Sequence, residues 1–387
     1  MISRSSTESL QLEKKKISVD HKNKYNIQDL GEYIRQGEPG LREKALAWQT
    51  AIGLQAVDGL KPSQYLLDTA RRNIEGEISI GDAKVLIDSY YRSAEGRKVA
   101  ETENTEEADK VSARINELLC EPSFNLSLTQ LTSIHQRLFE GLYKFAGRIR
   151  DYDITKREWV LKGQTVYYAS ADTIRETLEF DLRQEREYSY AGLNMDDAIK
   201  HLTRFCANLW QVHAFGEGNT RTMAVFMIKY LRTLGFNVAN EIFADNSWYF
   251  RNALVRANYT NLQENITETT VYLERFFRSM LLGEHYVMRN RELHVDWKDD
   301  KQAVVPEEQE PGFQSAKELP SKCKNCTLEE VAVLRILQDN PAATQKTIAA
   351  KIGKSERTVK TITANLSQRG IIVRRNGKRN GYWEITE

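Results

Sequence analysis

Apolar residues recur along this chain mostly at the spacing of an α-helix, and the clearest case leads into His213. Six positions form one face of this predicted helix: Ile199, Leu202, Phe205, Cys206, Leu209 and Trp210. Residues 223–234 are again apolar and helix-forming, and Gly235 supplies a stop signal. The ten residues 213–222 are therefore predicted to form a tight loop that opens onto the N-terminus of the second helix.

The same pattern predicts helices over most of the first 285 residues. They lie at residues 45–54, 62–71, 82–91, 127–142 and 248–259. Residues 1–24 are polar and charged, which predicts a flexible arm, and residues 95–110 are acidic, which predicts a linker or a solvated turn. We expect an N-terminal helical segment over residues 25–110 and a core domain over residues 111–285, in which His135 is a structural residue.

One stretch of the core domain has strand composition instead. Residues 159–161 and 165–168 flank Gly163, and this arrangement predicts a two-stranded hairpin within residues 153–168. A hairpin alone among helices is only marginally stable, and its open edge suits the docking of a partner strand. The alternative is a hairpin that packs on the surface without a partner.

Composition changes after the core domain. Residues 286–326 contain three of the seven prolines and an acidic cluster, and they predict a linker. Residues 327–387 predict a winged helix, with helices at 328–337, 344–352 and 355–369 and strands at 371–374 and 382–385. The chain is therefore predicted to be mainly α, with a C-terminal winged-helix domain.

Charge and composition narrow the class of protein. The 387 residues carry 55 Lys and Arg against 54 Asp and Glu, so the overall net charge of +1 gives no argument for a polyanionic partner. No apolar run could span a membrane, and the first twenty residues lack the core of a signal peptide, so we expect no membrane association and a cytoplasmic location. Cys323 and Cys326 have the spacing of half a zinc site, but no second pair lies nearby.

Residues capable of chemistry are concentrated in the loop 213–222. The first amides of the following helix lack intrahelical partners and lie at the positive end of the helix dipole, which suits phosphate. His213 is a candidate general base, and Glu217 is a candidate magnesium ligand. Each of these features alone is usually structural, but together within nine residues they predict phosphate chemistry.

The loop resembles the signature of the Fic family, His-x-Phe-x-(Asp/Glu)-Gly-Asn-Gly-Arg-x-x-Arg. Six residues match this signature position for position: His213, Phe215, Glu217, Gly218, Asn219 and Arg221. Thr220 stands where the third glycine belongs, and Ala224 stands where the second arginine belongs. The resemblance implies a Fic-fold helical core in which residues 153–168 form the β-hairpin flap.

Fic proteins transfer a nucleotide monophosphate, most often AMP from ATP, onto a hydroxyl group of a target protein. The resemblance therefore implies ATP as the donor, His213 as the general base and Glu217 as the residue that binds Mg²⁺. The implied phosphate-binding residues are Gly218, Asn219, Thr220 and Arg221. The implied target-docking residues of the flap are Trp159, Val160, Leu161, Val166, Tyr167 and Tyr168. The target protein would be modified on a Tyr, Thr or Ser hydroxyl.

Residues 53–91 resemble the small helical antitoxin that accompanies some Fic toxins. In that antitoxin a motif (Ser/Thr)-x-x-x-Glu-(Gly/Asn) supplies a glutamate that pairs with the second arginine of the loop. Here Leu54 replaces the serine and Asp58 replaces the glutamate. Because Ala224 cannot form such a pair and Asp58 is shorter, we expect Asp58 to belong to a regulatory site that makes no ion pair with the loop.

The winged-helix region is rich in positive charge. Its basic residues are Lys351, Lys354, Arg357, Lys360, Arg369, Arg374, Arg375, Lys378 and Arg379. The same stretch contains one acidic residue, Glu356. This excess of positive charge predicts contacts with DNA phosphates. Protein interaction or a homo-oligomer is the alternative for this domain.

The sequence is therefore also compatible with a second function, which is not enzymatic. It is a DNA-binding regulator whose altered Fic domain only binds nucleotide. Thr220 and Ala224 favour this regulator, whereas the intact His213 and Glu217 favour the enzyme.

Overall fold

The computed structural model describes residues 30–36, 38–236, 238, 241–297, 326–376 and 381–386. The N-terminal helices are α1 (Leu30–Gln36), α2 (Pro39–Gly53), α3 (Gln64–Ile74), α4 (Ile80–Arg92), α5 (Ala94–Glu103) and α6 (Glu106–Cys120). The core helices are α7 (Leu128–Phe139), α8 (Ile174–Glu187), α9 (Met195–Val212), α10 (Asn219–Thr233), α11 (Glu241–Ala257) and α12 (Val271–Leu282). The C-terminal elements are α13 (Leu328–Asp339), α14 (Gln345–Ile352), α15 (Glu356–Gln368), β1 (Ile372–Arg375) and β2 (Tyr382–Ile385). The predicted mainly α architecture is confirmed.

The acidic stretch 95–110 is helical, and its assignment as a linker or turn is wrong. It forms α5 and the start of α6, separated by Asn104 in the left-handed conformation. The carboxylates of Glu106 and Glu107 lie in the first turn of α6, where the helix dipole favours negative charge. Apolar residues on the opposite face of α6 pack against α2 and α4. Acidic composition therefore marked a helix start in this segment.

Helix α10 lies at the centre of the core, because every residue from 219 to 231 is buried. Its C-terminal half is tied to the end of α6 by two cations. Lys229 Nζ donates to the carbonyl groups of Leu118 and Glu121 at 2.8 and 2.7 Å, and Arg232 donates to that of Leu119. Burial lowers the pKa of Lys229 to about 8. These bonds satisfy the last carbonyl groups of α6 and hold α6 and α10 in register.

The winged helix forms as predicted. Ser355 caps α15 by accepting a hydrogen bond from the Thr358 amide at 3.1 Å, and β1 pairs antiparallel with β2, with Ile372 opposite Ile385. Its apolar side joins the same hydrophobic cluster as the core domain. Gly235, which follows α10, lies against Ala332 of α13. The two domains therefore share a core.

Two predicted regions fall partly or wholly outside the described residues. These are the arm at residues 1–24 and residues 298–325 of the linker, which include Cys323 of the half zinc site. Within the described part of the chain, no helix is both long enough and apolar enough to cross a bilayer.

Candidate active site

The loop between α9 and α10 depends on two residues in the left-handed conformation. His213 follows α9 with φ +50°, and Gly218 precedes α10 with φ +74°. A Cβ atom at Gly218 would lie 2.3 Å from the Phe139 ring, so only glycine fits this position without displacing that ring. The chain therefore turns sharply between the two helices. The first backbone amides of α10 have no preceding helical turn whose carbonyl groups could accept hydrogen bonds from them.

Two side chains of the predicted phosphate site hold the loop together. The Phe215 amide donates to Oδ1 of Asn219 at 2.9 Å, and Nδ2 of Asn219 donates to the Phe215 carbonyl at 2.6 Å. The Thr220 hydroxyl accepts a hydrogen bond from Trp210 Nε1 at 3.1 Å. Both side chains are therefore engaged in loop structure, which leaves the backbone amides as the groups suited to phosphate.

His213 is buried at the start of this loop, with 4% of its surface exposed. Its ring lies against Tyr168, with 4.2 Å between ring centroids. Burial lowers the pKa of His213 well below its usual value, and the charges of Lys156, Arg251 and Arg150 lower it further. The imidazole is therefore neutral at pH 7, and its Nδ1 has no hydrogen-bond partner among the described residues. A neutral histidine is the form that a general base requires.

A second histidine, His135 in α7, supports the loop. Its ring stacks on Phe215 with 3.8 Å between centroids. Its Nδ1 accepts a hydrogen bond from the Gly147 amide at 2.8 Å, so Nε2 carries the proton and donates to the Glu217 carbonyl at 3.0 Å. Burial lowers the pKa of His135 to about 4 and keeps the ring neutral. Its structural assignment is correct, but its role at this loop has no signal in the sequence, because 82 residues separate it from Glu217.

Arg150 holds the C-terminal end of α9 in place through hydrogen bonds. Its Nε donates to the His213 carbonyl at 2.8 Å, and its Nη2 donates to that of Val212 at 3.3 Å. The same guanidinium donates to the carbonyl groups of Tyr152 and Ala169. A cation at this place complements the negative end of the α9 dipole. Arg150 therefore ties the loop that begins at His213 to residues 152–169, a role that the sequence did not reveal.

Arg221 is enclosed by the N-terminal segment, and 1% of it is exposed. Its Nε lies 2.7 Å from Oδ2 of Asp58, although the N–H is not aligned for a hydrogen bond. Nη1 donates to Oε1 of Gln55 at 3.0 Å, and Nη2 donates to Oε1 of Glu107 at 2.6 Å. Burial opposes the charge of Arg221, but Asp58 and Glu107 outweigh this effect and raise its pKa. The guanidinium of Arg221, a predicted phosphate-binding group, is therefore already paired with two carboxylates.

Comparison with known proteins finds similarity in two parts of the chain. Residues 125–231 match the model of the Fic/DOC family. The chain contains a Fic/DOC domain. Residues 330–373 match the model of the winged helix-turn-helix DNA-binding family. The chain is also 28% identical over 116 residues to protein adenylyltransferase VbhT of Bartonella schoenbuchensis, a match that covers 30% of this chain and 23% of VbhT.

The contact of Asp58 with the Fic/DOC domain corrects an expectation from the sequence. The prediction that Asp58 makes no ion pair with the loop is wrong. Ala224 is fully buried, and Asp58 pairs instead with Arg221, about one turn earlier in α10. A short carboxylate suffices because the 3₁₀ helix Leu54–Asp58 packs directly against α10. A regulatory role for Asp58 stays a prediction.

Glu217 is the exposed residue of the Fic/DOC loop, with 55% of its side chain accessible. Its carboxylate forms an ion pair with Lys156 Nζ at 2.8 Å. One exposed carboxylate beside a helix N-terminus fits Mg²⁺ that takes its other ligands from nucleotide phosphates and water. The described residues contain no cluster of three or more His, Cys, Asp and Glu side chains that could hold a metal ion.

The predicted flap of the Fic/DOC domain does not form two strands. Trp159–Leu161 is a 3₁₀ helix, and the amide and carbonyl of Glu158 bond to Gln164 and Gly163 at 2.9 Å each. The second and third residues of this 3₁₀ helix are both buried, whereas a strand would alternate them between two faces. Burial of adjacent apolar side chains therefore overrides the strand composition.

The six predicted docking residues of the flap separate into two groups. Val160, Leu161 and Val166 are buried, which corrects their assignment to target docking. Trp159 and Tyr167 are 52% and 81% exposed, and Tyr168 is half-buried beside His213. Only this second group stays available as a docking surface for a target.

The winged helix presents less unpaired positive charge than its sequence suggests. Three of its basic residues form ion pairs: Lys354 with Glu329 at 2.8 Å, Arg369 with Glu330 at 2.8 Å and Arg375 with Glu384 at 2.5 Å. Glu329 and Glu330 belong to α13, and Glu384 belongs to β2. Lys351, Arg357 and Lys360 are exposed, whereas Lys378 and Arg379 lie outside the described residues.

Proposed function

We propose that this chain is a protein nucleotidylyltransferase that transfers AMP from ATP to a Tyr, Thr or Ser hydroxyl of a target protein. The observation that carries this proposal is the state of His213. Its imidazole is buried and neutral, and it lies five residues before the amides at the start of α10. A base next to an anion-binding helix N-terminus suits the activation of a hydroxyl toward a phosphate.

The residues of the loop divide the chemistry between them. His213 takes the proton of the acceptor hydroxyl, whose oxygen attacks the α-phosphorus, and pyrophosphate leaves. The amides of residues 218–221 stabilise the negative charge of the phosphates. Magnesium, when bound, neutralises phosphate charge, and Glu217 is the residue that would hold it. His135 and Arg150 keep the loop in the geometry that this reaction needs.

We also propose that the N-terminal segment inhibits transfer. Asp58 and Glu107 hold two negative charges against Arg221, and the same charges repel the phosphates of an incoming donor. Gln55 occupies a third position on that guanidinium and is fully buried. Productive donor binding therefore requires these residues to move away from Arg221.

Label transfer tests the enzymatic proposal. The full-length protein is incubated with a cell lysate, magnesium and each of four nucleoside triphosphates labelled at the α-phosphate. We expect protein labelling above that of the lysate alone from ATP labelled at the α-phosphate, and no such increase from ATP labelled at the γ-phosphate, because pyrophosphate is the leaving group. Labelling from the γ-phosphate alone would identify a kinase, and labelling from GTP, UTP or CTP in preference would change the donor.

A second candidate function is DNA binding through residues 327–387, favoured by the match to the winged helix-turn-helix family and by the exposed Arg357 and Lys360 of α15. We expect the full-length protein to bind duplex DNA with an affinity that falls as salt rises. Replacing both residues by glutamine should lower the slope of log K against log salt by about two, since two phosphate contacts are lost. The measurement is a titration of labelled DNA at several salt concentrations.

A matched control for DNA binding comes from α5. Arg97 and Lys98 are exposed and carry the same two charges outside the winged helix. Replacing both by glutamine should leave the salt dependence unchanged. Equal slopes for all three proteins would assign the winged helix to protein interaction.

A further inference from the structure

We propose that Lys156 is a phosphate-binding residue of the transfer site, an inference that rests on the proposed nucleotidyl transfer. Its Nζ lies 2.8 Å from Oε2 of Glu217, the residue just before Gly218 and the first amides of α10. The charge of Lys156 is also, after burial, the largest influence that lowers the pKa of His213. The ammonium group therefore lies near both the base and the helix N-terminus that would hold the phosphates.

Other cations near His213 are committed to buried protein groups. Arg150 donates to four backbone carbonyl groups. Arg251 pairs with both carboxylate oxygens of Glu158 at 2.7 and 3.2 Å, and only 1% of Glu158 is exposed. Moving Arg251 would leave a buried charge unpaired, which is costly. Lys156 differs because its partner Glu217 is exposed, and breaking a solvated ion pair costs little.

Arg221 is poorly suited to the same task while the N-terminal segment is in place. Asp58 and Glu107 already offset its charge, and its side chain is almost fully buried. Lys156 keeps 23% of its side chain exposed and belongs to the flap segment, away from the helix core. A long and flexible lysine can follow phosphates that enter beside α10, since an ammonium binds phosphate as a point charge.

The chemistry of transfer explains the need for this charge. The acceptor oxygen forms a bond to the α-phosphorus, and the bond from that phosphorus to the bridging oxygen of pyrophosphate breaks. The hydroxyl proton passes to His213, and the electron pair of the broken bond leaves with pyrophosphate. Negative charge therefore grows on the leaving group, where Lys156 neutralises it after its release from Glu217.

Calorimetric titration of ATP and AMP into the full-length protein tests this assignment. The titrations contain EDTA, which excludes magnesium held by Glu217. We expect Lys156→Met to lose about tenfold in affinity for ATP, the loss of one charge-assisted contact, while its affinity for AMP changes less than about twofold. Lys156→Arg should stay near the wild type, because it keeps the charge.

Lys162 provides a matched control from the same segment. It pairs with the exposed Asp296 at 2.5 Å, so Lys162→Met should bind both nucleotides like the wild type. An unchanged ratio of ATP to AMP affinity in Lys156→Met would overturn the assignment, as would an equal loss for both nucleotides, which indicates a structural role. If Lys156→Met selectively loses affinity for ATP but the wild type transfers no label, the proposed function is refuted and the phosphate-binding role of Lys156 stands. No ATP binding by the wild type would overturn both.

Discussion

Replacement of His213 is expected to abolish nucleotidyl transfer while nucleotide affinity stays nearly unchanged. Removing a general base lowers the rate by about 10²–10⁴-fold, whereas the amides of α10 that would hold the phosphates remain in place. His213 has φ +50°, so alanine would add backbone strain. Asparagine tolerates this conformation better, and His213→Asn therefore separates the loss of the base from a loss of fold.

The measurements for His213 are initial rates of label transfer, ATP affinity and melting temperature, each for the wild type, His213→Ala and His213→Asn. We expect both variants to be inactive and His213→Asn to melt closer to the wild type. Because the pKa of His213 is held well below 6.5, the wild-type rate should not fall between pH 8 and pH 6.5. Transfer by His213→Asn within tenfold of the wild type would remove the assignment of the base.

Release of Arg221 is expected to activate the protein. In Asp58→Asn or Glu107→Gln one of the two negative charges that face the guanidinium is lost, so repulsion of the donor phosphates decreases. We expect each variant to raise ATP affinity and transfer rate by about tenfold, which corresponds to about 1.4 kcal/mol. The double variant should exceed either single variant.

The same substitutions should lower stability. Arg221 is buried, and a buried charge that loses a partner destabilises the fold. Opposite changes in activity and melting temperature would therefore indicate an inhibitory contact. A fall in both quantities would indicate that Asp58 and Glu107 only support the fold.

Glu106→Gln is the matched control for this experiment. Glu106 precedes Glu107 in α6 but pairs with Lys110 at 2.6 Å and does not contact Arg221 in the described structure. Its replacement should change neither ATP affinity nor transfer rate. If Asp58→Asn and Glu107→Gln behave like Glu106→Gln, the N-terminal segment does not regulate the site through charge.

Local interactions explain which elements could be predicted from the sequence. Apolar spacing predicts both α9 and α10, although α10 begins at Asn219 and so includes the last four residues of the predicted loop 213–222. In the winged helix, Ser355 and Gly353 mark the two ends of a turn between helices. These signals act within a few residues, since capping and helical periodicity are local. Glycine at position 218 has a local cause, its positive φ, which favours glycine, and a tertiary cause, the Phe139 ring, which a Cβ atom would overlap. Where local signals compete with burial, as in Trp159–Leu161, the sequence prediction failed.

The sequence by itself determined the mainly α architecture, the winged helix and the loop that carries His213 and Glu217. Only the tertiary structure decided what surrounds that loop. His135 supports it from 82 residues away, and Asp58 reaches Arg221 from the N-terminal segment. These contacts depend on how helices pack, and one residue type gives no sign of the partner that packing will bring to it. The pairing of Asp58 with Arg221 therefore became visible only when α10 and the 3₁₀ helix Leu54–Asp58 lay side by side.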